Sequence, residues 1–470
     1  MLLSPTGAGT TVVGRRLCTS EHSGEPAERF GELKRTRPLN LPFKPRRLGA
    51  LDPSEFSAAG ALSTLAEPEE SGTFSVGRHF QQRSYPHYIK YMGSKSKIMD
   101  FVLAGVNEVY ESGPVCDLFG GSASLAGAIG DQVPIHSNDI QAYSAVIARA
   151  YLTAWKTKAS PNSNTILEEA AAIVERHRKQ LECLHDYSSP VSLKAFNLIE
   201  RKQQELINRK FRRPWHLFLK YYSGTWWSAE QCLWIDAIRE VADRYKSKSC
   251  YDVILSSLMF AMAYASQGTG HFAQYRDANT DSSMRDISIY RKRSIAQLFA
   301  KKYESALQGL PKEFTSLNHK VTTSDFRECL AQFSGGTIYA DPPYAFVHYS
   351  RFYHALETLV LYDYPKIQMK NEVMVKGRYR EDRHQSPFCI RSLVKGAFED
   401  LFRGVRKSNS NLVLSYSNTG MISLSELESL VLRELPGRSI EIVLTDYKHM
   451  TLGRQYDRDR NVEECLILVK

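Results

Sequence analysis

The sequence predicts a doubly wound α/β sheet interrupted by one long, mainly helical insertion. Apolar runs of strand length near 115–119, 135–138, 319–323, 336–341, 411–416, 439–445 and 463–469 alternate with stretches of helical periodicity. That alternation is the pattern of βαβ units on a mostly parallel sheet. A glycine-rich turn follows the first run, where such sheets bind ligands. Finally, Asp139 and Asp341 frame an interval far longer than a crossover needs, so an inserted module is expected there.

Residues 1–84 stand apart. They are rich in Gly, Ser, Pro, Arg and Glu and lack sustained periodicity, which predicts a disordered arm. Arg15-Arg16 is followed by no apolar stretch, so a signal peptide is not expected. A tail that touches DNA and an overextended reading frame both fit this composition. Residues 88–97 read as a basic turn entering a helix at 98–106.

The first strand, Val115-Cys116-Asp117-Leu118-Phe119, runs into Gly120-Gly121-Ser122-Ala123-Ser124 and then into a helix starting at Leu125. Strand, small-residue turn and helix N-terminus let a ligand approach the backbone closely. Asp139 follows roughly 20 residues later, where an acid can grip ribose hydroxyls. The spacing is not GxGxxG, which disfavours a dinucleotide. A helix is expected over 142–155.

The insertion, 156–318, opens with charged helices at 167–184 and 191–211 and then changes character. Lys210 to Trp215 and Lys220 to Trp227 interleave cations with rings. Such mixtures suit phosphate contacts combined with stacking; packing of Trp215, Trp227 and Trp234 in a helical core explains them equally well. A buried helix at 253–265 leads to Ser266-Gln267-Gly268-Thr269-Gly270-His271, ending near Arg276. Arg212, Arg213, Gln267, His271 and Arg276 are the candidate DNA contacts, since their side chains can reach phosphates or base edges.

The strand at 336–341 ends in Asp341-Pro342-Pro343-Tyr344. Two prolines cannot donate to a ladder, so the strand stops there. The stiff turn presents a carboxylate, a free carbonyl and an aromatic ring. Together these can capture a planar amine: two acceptors for its N–H bonds and a face to stack on. Further helices are expected at 388–402 and 424–434.

At this point the chain resembles amino-methyltransferases acting on exocyclic nitrogens, whose shared signature is (D/N/S)PP(Y/F). Asp-Leu-Phe-Gly-Gly-Ser at 117–122 is similar to their S-adenosylmethionine motif, and Tyr91 to Lys95 to an N-terminal cofactor segment. In this order, these elements resemble the D12 (Dam-like) class of adenine-specific DNA methyltransferases over most of residues 85–470. Residues 321–326, 349–361, 411–418 and 464–469 also resemble family segments. One departure is Ala123, which stands where the family's FxGxG turn has its second glycine.

The resemblance implies a Rossmann-like methyltransferase sheet, with catalytic parts at 85–155 and 319–470 and a target-recognition domain at 156–318. It implies that Asp341, Pro342, Pro343 and Tyr344 act on adenine N6 in duplex DNA after base flipping. Asp341 and the Pro342 carbonyl would accept the two amine hydrogens while Tyr344 stacks on the base. Tyr91, Lys95, Asp117, Phe119, Gly121, Asp139 and Asp341 would form the S-adenosyl-L-methionine site, with no metal. Any restriction endonuclease would be a separate protein, and a monomer is expected. Cytosine N4, an RNA or protein nitrogen, or a catalytically silent DNA-binding specificity protein stand as alternatives. Aspartate at the first motif position leans towards adenine.

A formal net charge of +10 fits a polyanionic partner. The eight cysteines are scattered without a CxxC pair, which suggests neither a zinc site nor a disulfide framework and points to a reducing, cytoplasmic setting. No run approaches the ~20 apolar residues needed to span a bilayer.

Overall fold

The computed structural model describes residues 46–47, 79–153, 160–189, 191–212, 216–268, 270–309, 317–344, 348–418, 420–445 and 464–470. The chain divides into Met1–Pro42 and Phe43–Lys470, and every described residue belongs to the second unit. Most of the expected N-terminal arm lies outside the described residues. Its last residues, 79–84, do not behave as an arm. Phe80 is buried, its N–H donates to Asn107 Oδ1 at 2.7 Å, and its ring meets Tyr110 edge-on.

The strands are β1 (Arg46–Arg47), β2 (Val115–Asp117), β3 (Ile135–Asp139), β4 (Lys320–Thr323), β5 (Thr337–Ala340), β6 (Met369–Lys370), β7 (Val373–Met374), β8 (Asn411–Ser417), β9 (Ile440–Thr445) and β10 (Glu464–Val469). All seven strands expected from the sequence join one sheet in the order β1-β9-β10-β8-β5-β2-β3-β4. The pairs β8-β5, β5-β2, β2-β3 and β3-β4 are parallel, while β10 runs antiparallel to both its neighbours. The short β6-β7 pair lies apart.

Fifteen helices are present among the described residues: α1 (Met99–Val109), α2 (Ser124–Ile129), α3 (Ala142–Leu152), α4 (Ser163–Arg178), α5 (Leu193–Gln204), α6 (Leu217–Tyr222), α7 (Ala229–Asp243), α8 (Cys250–Ala265), α9 (Asp281–Arg291), α10 (Ile295–Gln308), α11 (Phe326–Gln332), α12 (Tyr349–Phe352), α13 (His354–Leu361), α14 (Val394–Lys407) and α15 (Leu424–Glu434). None is long and apolar enough to cross a membrane.

Side chains alternate across a strand, and the central strands feed two cores in that way. Tyr339, Val413, Leu466 and Leu468 join the core shared with α1, α2 and α3. Ile338, Ala340, Leu412, Leu414, Cys465 and Ile467 join the core under α11, α14 and α15. Burial on both faces explains the near-continuous apolar runs.

Within 160–309 the helices α4 to α10 form the insertion. Its α8 is buried along almost its whole length and packs on α3 and α10, so this block shares the core on one face of the sheet. Helix α7 starts at a capping box formed by Ser228 and Gln231. The rings at 226–227 are core: Trp226 and Trp227 are fully buried, and Trp227 Nε1 donates to the Met262 carbonyl at 3.0 Å. Trp215 lies outside the described residues. Expected helix 388–402 begins later, at Val394, because Phe388 is spent on an aromatic cluster with Phe119 and Phe326.

Candidate active site

The chain leaves β2, turns through β3 and β4 on one side, and returns at β5 on the other flank of β2. Such a switch point opens a crevice at the carboxyl ends of the strands. The cleft found there encloses about 1160 Å³ of atom-free space, its open mouth included. Asp117 ends β2, Asp139 ends β3 and Asp341 follows β5, and all three line this one cleft. Tyr91, Lys95, Phe119, Gly121, Pro342, Pro343 and Tyr344 line it as well. Residue 341 and the turn at 119–124 therefore share one cleft.

The turn after β2 is built by backbone conformation. Gly121 has φ +52°, and a Cβ there would lie 2.9 Å from the Tyr91 ring. Ala123, the departure noted above, adopts the left-handed region with φ 53° and ψ 35°. Left-handed backbone, which favours glycine, is thus adopted here by a residue for which it is strained. Asp139 fastens this turn: Oδ2 accepts the Gly121 N–H and Oδ1 the Gln141 N–H, both at 2.8 Å. Burial raises the Asp139 pKa, and these backbone donors oppose the rise. Glu357 adds a carboxylate at the start of α3, accepting from the Ala142 and Tyr143 N–H groups at 3.0 and 3.1 Å.

The segment before α1 lines the same cleft and packs against the glycine turn. Tyr91 stacks on Tyr353 with centroids 4.8 Å apart, and the Met92 N–H donates to Tyr353 Oη at 2.7 Å. Ser94 reaches Ser122 and Ser124 of the glycine turn at 3.4 and 3.3 Å. Lys95, read from sequence as a cofactor contact, lines the cleft but is held by carboxylates. Its Nζ lies 3.1 Å from Glu464 Oε2 and 3.4 Å from Asp341 Oδ1. Burial disfavours its charge, yet Asp341 and Glu464 outweigh burial and hold its pKa well above the ordinary value.

Tyr344 is fixed in the same network. Its hydroxyl donates to Glu464 Oε1 at 2.8 Å and accepts from Lys95 at 3.3 Å, and its ring meets Tyr416 edge-on. Burial pushes its pKa up, so the phenol stays protonated. Asp117 is pushed up to about 8 by burial, then by the neighbouring charges of Asp341 and Asp139. Acids at the ends of three adjacent strands supply this cleft with acceptors for hydroxyl and amine donors, and Asp117, protonated near neutrality, can donate as well. Tyr339 lines it too, and its buried hydroxyl has no partner among the described residues.

The sequence missed Glu464, whose position at the head of β10 gave no chemical signal. It also missed His384 to Pro387, which close the cleft from the loop before α14. Ser350 Oγ donates to the His384 carbonyl at 2.6 Å and ties this loop to α12.

The described candidate DNA contacts have different surroundings. Arg212 is exposed, Arg276 pairs with Asp286 at 2.6 Å, and Arg213 lies outside the described residues. His271 packs against Phe352 with ring centroids 4.6 Å apart. Gln267 is a correction: it is buried and its amide donates to the Thr225 carbonyl, so it serves the fold rather than a base edge. The loop carrying it is anchored beside the cleft, where the Phe272 N–H donates to the Phe352 carbonyl at 2.7 Å.

Comparison with known proteins points the same way. A family model described as D12 class N6 adenine-specific DNA methyltransferase matches residues 91–409. The chain is 22% identical over 391 residues to "Modification methylase LlaI" of Lactococcus lactis subsp. lactis, covering 81% of this chain and 55% of that protein. It is 23% identical over 355 residues to "Type II methyltransferase M.FokI" of Planomicrobium okeanokoites, covering 73% and 46%. It is 23% identical over 383 residues to "Type II methyltransferase M.NlaIII" of Neisseria lactamica, covering 79% and 95%. The chain thus spans about half the length of the first two and nearly all of the third.

Proposed function

Because the chain belongs to the D12 class of N6 adenine-specific DNA methyltransferases, we propose that it transfers a methyl group from S-adenosyl-L-methionine to adenine N6 at specific sites in duplex DNA. The observation that carries this reading is the meeting of Asp341 with Asp117, Asp139 and the glycine turn in one cleft at the switch point of the sheet. The acids and the unpartnered Tyr339 hydroxyl suit a ligand with a positive centre, an amino-acid head and ribose hydroxyls. Tyr91, Phe119 and the Gly120–Gly121 backbone offer apolar walls for the rest. When bound, the cofactor supplies a methyl group activated by a sulfonium charge.

The protein's own residues prepare the acceptor. An adenine amino group is a weak nucleophile because its lone pair is conjugated with the ring. Asp341 Oδ and the Pro342 carbonyl accept its two N–H bonds and draw the nitrogen towards tetrahedral geometry. The rigid proline turn keeps both acceptors in place, so little reorganisation is required as the bond forms. Tyr344 offers a ring to the extruded base, and stacking worth about 1–3 kcal/mol offsets part of the unpairing cost. The helical block at 160–309, with exposed Arg212 at one of its loops, is the target-recognition part in this reading.

Incubation of the protein with methylation-free DNA and isotopically labelled cofactor, followed by digestion to nucleosides, tests the proposal. N6-methyladenine is the expected product, and N4-methylcytosine or an unlabelled digest overturns it. In the same assay Asp341→Ala should abolish transfer while DNA is still bound; near-normal turnover by that variant removes the assigned role of Asp341.

A further inference from the structure

One residue before Asp117 lies a second constellation that the reaction does not use. Cys116 on β2, His136 on β3 and Cys329 on α11 are all buried, and one ligand atom from each lies within 4.8 Å of the other two. Cys116 Sγ and Cys329 Sγ are 4.0 Å apart, and Cys329 Sγ is 3.8 Å from His136 Nε2. Bonds of about 2.3 Å to sulfur and about 2.0 Å to nitrogen around a tetrahedral ion give edges of about 3.8 Å between sulfurs and about 3.5 Å from sulfur to nitrogen. The two edges to Cys329 exceed these by a few tenths of an ångström, and the third, from Cys116 to His136, lies within 4.8 Å.

We propose that Cys116, His136 and Cys329 form a binding site for one thiophilic divalent cation of the zinc class. The ligand set selects it: two sulfurs and an imidazole suit a borderline-soft ion, whereas magnesium and calcium require oxygen cages. Charge supports it as well. Two thiolates cancel a dication, so the complex is neutral and can sit in an apolar interior where a bare charge could not. Both sulfurs bind as thiolates, their protons passing to solvent. His136 binds through Nε2, giving up its 3.0 Å contact with Thr322 Oγ1. Thr322 already donates to Asn138 Oδ1 at 2.8 Å, so it does not depend on His136 for a partner. The ion would join two strands and the helix whose first turn lines the cleft, bracing the ends that carry Asp117 and Asp139.

The ligands are far apart in the chain, which is why cysteine spacing gave no sign of them. Pairing of β2 with β3 sets Cys116 directly beside His136, and α11 lowers Cys329 onto both.

The test uses the full chain, stripped by a chelator and titrated with Co²⁺. A single tight equivalent with a thiolate-to-cobalt charge-transfer band is expected, and Cys329→Ser and Cys116→Ser should each lose that band. To keep the test independent of whether the variants fold, the unsubstituted protein loaded with Zn²⁺ is examined by X-ray absorption. Two sulfur scatterers and one imidazole support the site. A shell of oxygen and nitrogen alone, no uptake by the unsubstituted chain, or an unchanged band in a folded Cys329→Ser protein each overturn it.

Discussion

Lys95, which precedes the first helix, and Glu464, which opens the last strand, form a buried ion pair with Nζ and Oε2 3.1 Å apart. They are 369 positions apart in sequence. Glu464 also accepts from Tyr344, so one carboxylate positions both the cation beside Asp341 and the ring of the proline turn. Without it, the ammonium would be left to Asp341, the amine acceptor in the proposed reaction. Glu464→Gln should therefore lower kcat while changing cofactor affinity little. Loss of a hydrogen bond to a charged group, about 1.5–3 kcal/mol, corresponds to roughly ten- to hundredfold in rate. Single-turnover kinetics with separate cofactor calorimetry checks this, and an unchanged rate would remove Glu464 from the positioning network.

Gly121→Ala is expected to impair the cofactor site more than the fold. The new methyl would meet the Tyr91 ring at 2.9 Å, and the residue sits at φ +52°. Left-handed backbone costs a side-chain-bearing residue about 1–2 kcal/mol. Tyr91 can yield only by leaving its stack on Tyr353. Cofactor affinity measured by calorimetry should fall at least tenfold, with a Tm loss of a few degrees. Equal affinity in the two proteins would show that the close approach at Gly121 is not needed for binding.

Much of this arrangement was legible in the sequence for definite reasons. Strands β2, β5 and β8 were legible as short runs that end in turn residues, and Asp341-Pro342-Pro343-Tyr344 announces a strand stop and, in the proposed reading, its chemistry. Asp139 was legible as an acid near the cofactor turn, though its two bonds to backbone N–H groups were not. Pairings between distant segments stayed hidden. Nothing local distinguishes Glu464 from Glu463, and only the insertion of β10 between β8 and β9 brings it to Lys95. The ring of Trp227 read equally as core or as a nucleic-acid surface, because periodicity does not say which face a neighbouring helix will cover. Gln267 was misread for the same reason: an amide in a glycine-rich loop looks available until its partner, the Thr225 carbonyl, is seen.

Stability should fall as pH rises through neutrality. Burial lifts Asp117 and Asp236 to about 8 in the folded protein, against roughly 4 in the unfolded chain. A raised folded-state pKa means that the native state binds protons more tightly. Its contribution is full below about pH 4 and is lost progressively as pH approaches 8, at up to about 1.4 kcal/mol per pH unit per group. Asp117→Asn removes one of these groups, so its stability relative to the parent should improve from pH 5 to pH 8. Urea unfolding at both values measures the difference; a parent and variant that keep a constant gap would show that Asp117 is not held protonated.

The last prediction concerns the helical block, whose centre contains a buried ion pair. Arg291 reaches Glu200 through Nε at 3.1 Å and Nη2 at 2.5 Å. It also donates to the carbonyls of Trp226 and Thr225 at 2.7 and 2.6 Å. Tyr187 Oη donates to Glu200 Oε1 at 2.6 Å, so the network is satisfied throughout. Arg291→Met strands a buried carboxylate and the Trp226 carbonyl, while the Thr225 carbonyl keeps its donor from Gln267, and should cost about 3–5 kcal/mol. Replacing both partners, Arg291→Met with Glu200→Leu, removes the uncompensated charge and should recover much of that loss. Because this block shares its core with α3 and one face of the sheet, the loss should appear as one transition. Fluorescence from Trp226 and Trp227 would then coincide with circular dichroism of the whole chain. An earlier fluorescence transition in Arg291→Met would show instead that the insertion unfolds by itself, and that its shared core with α3 transmits little stability.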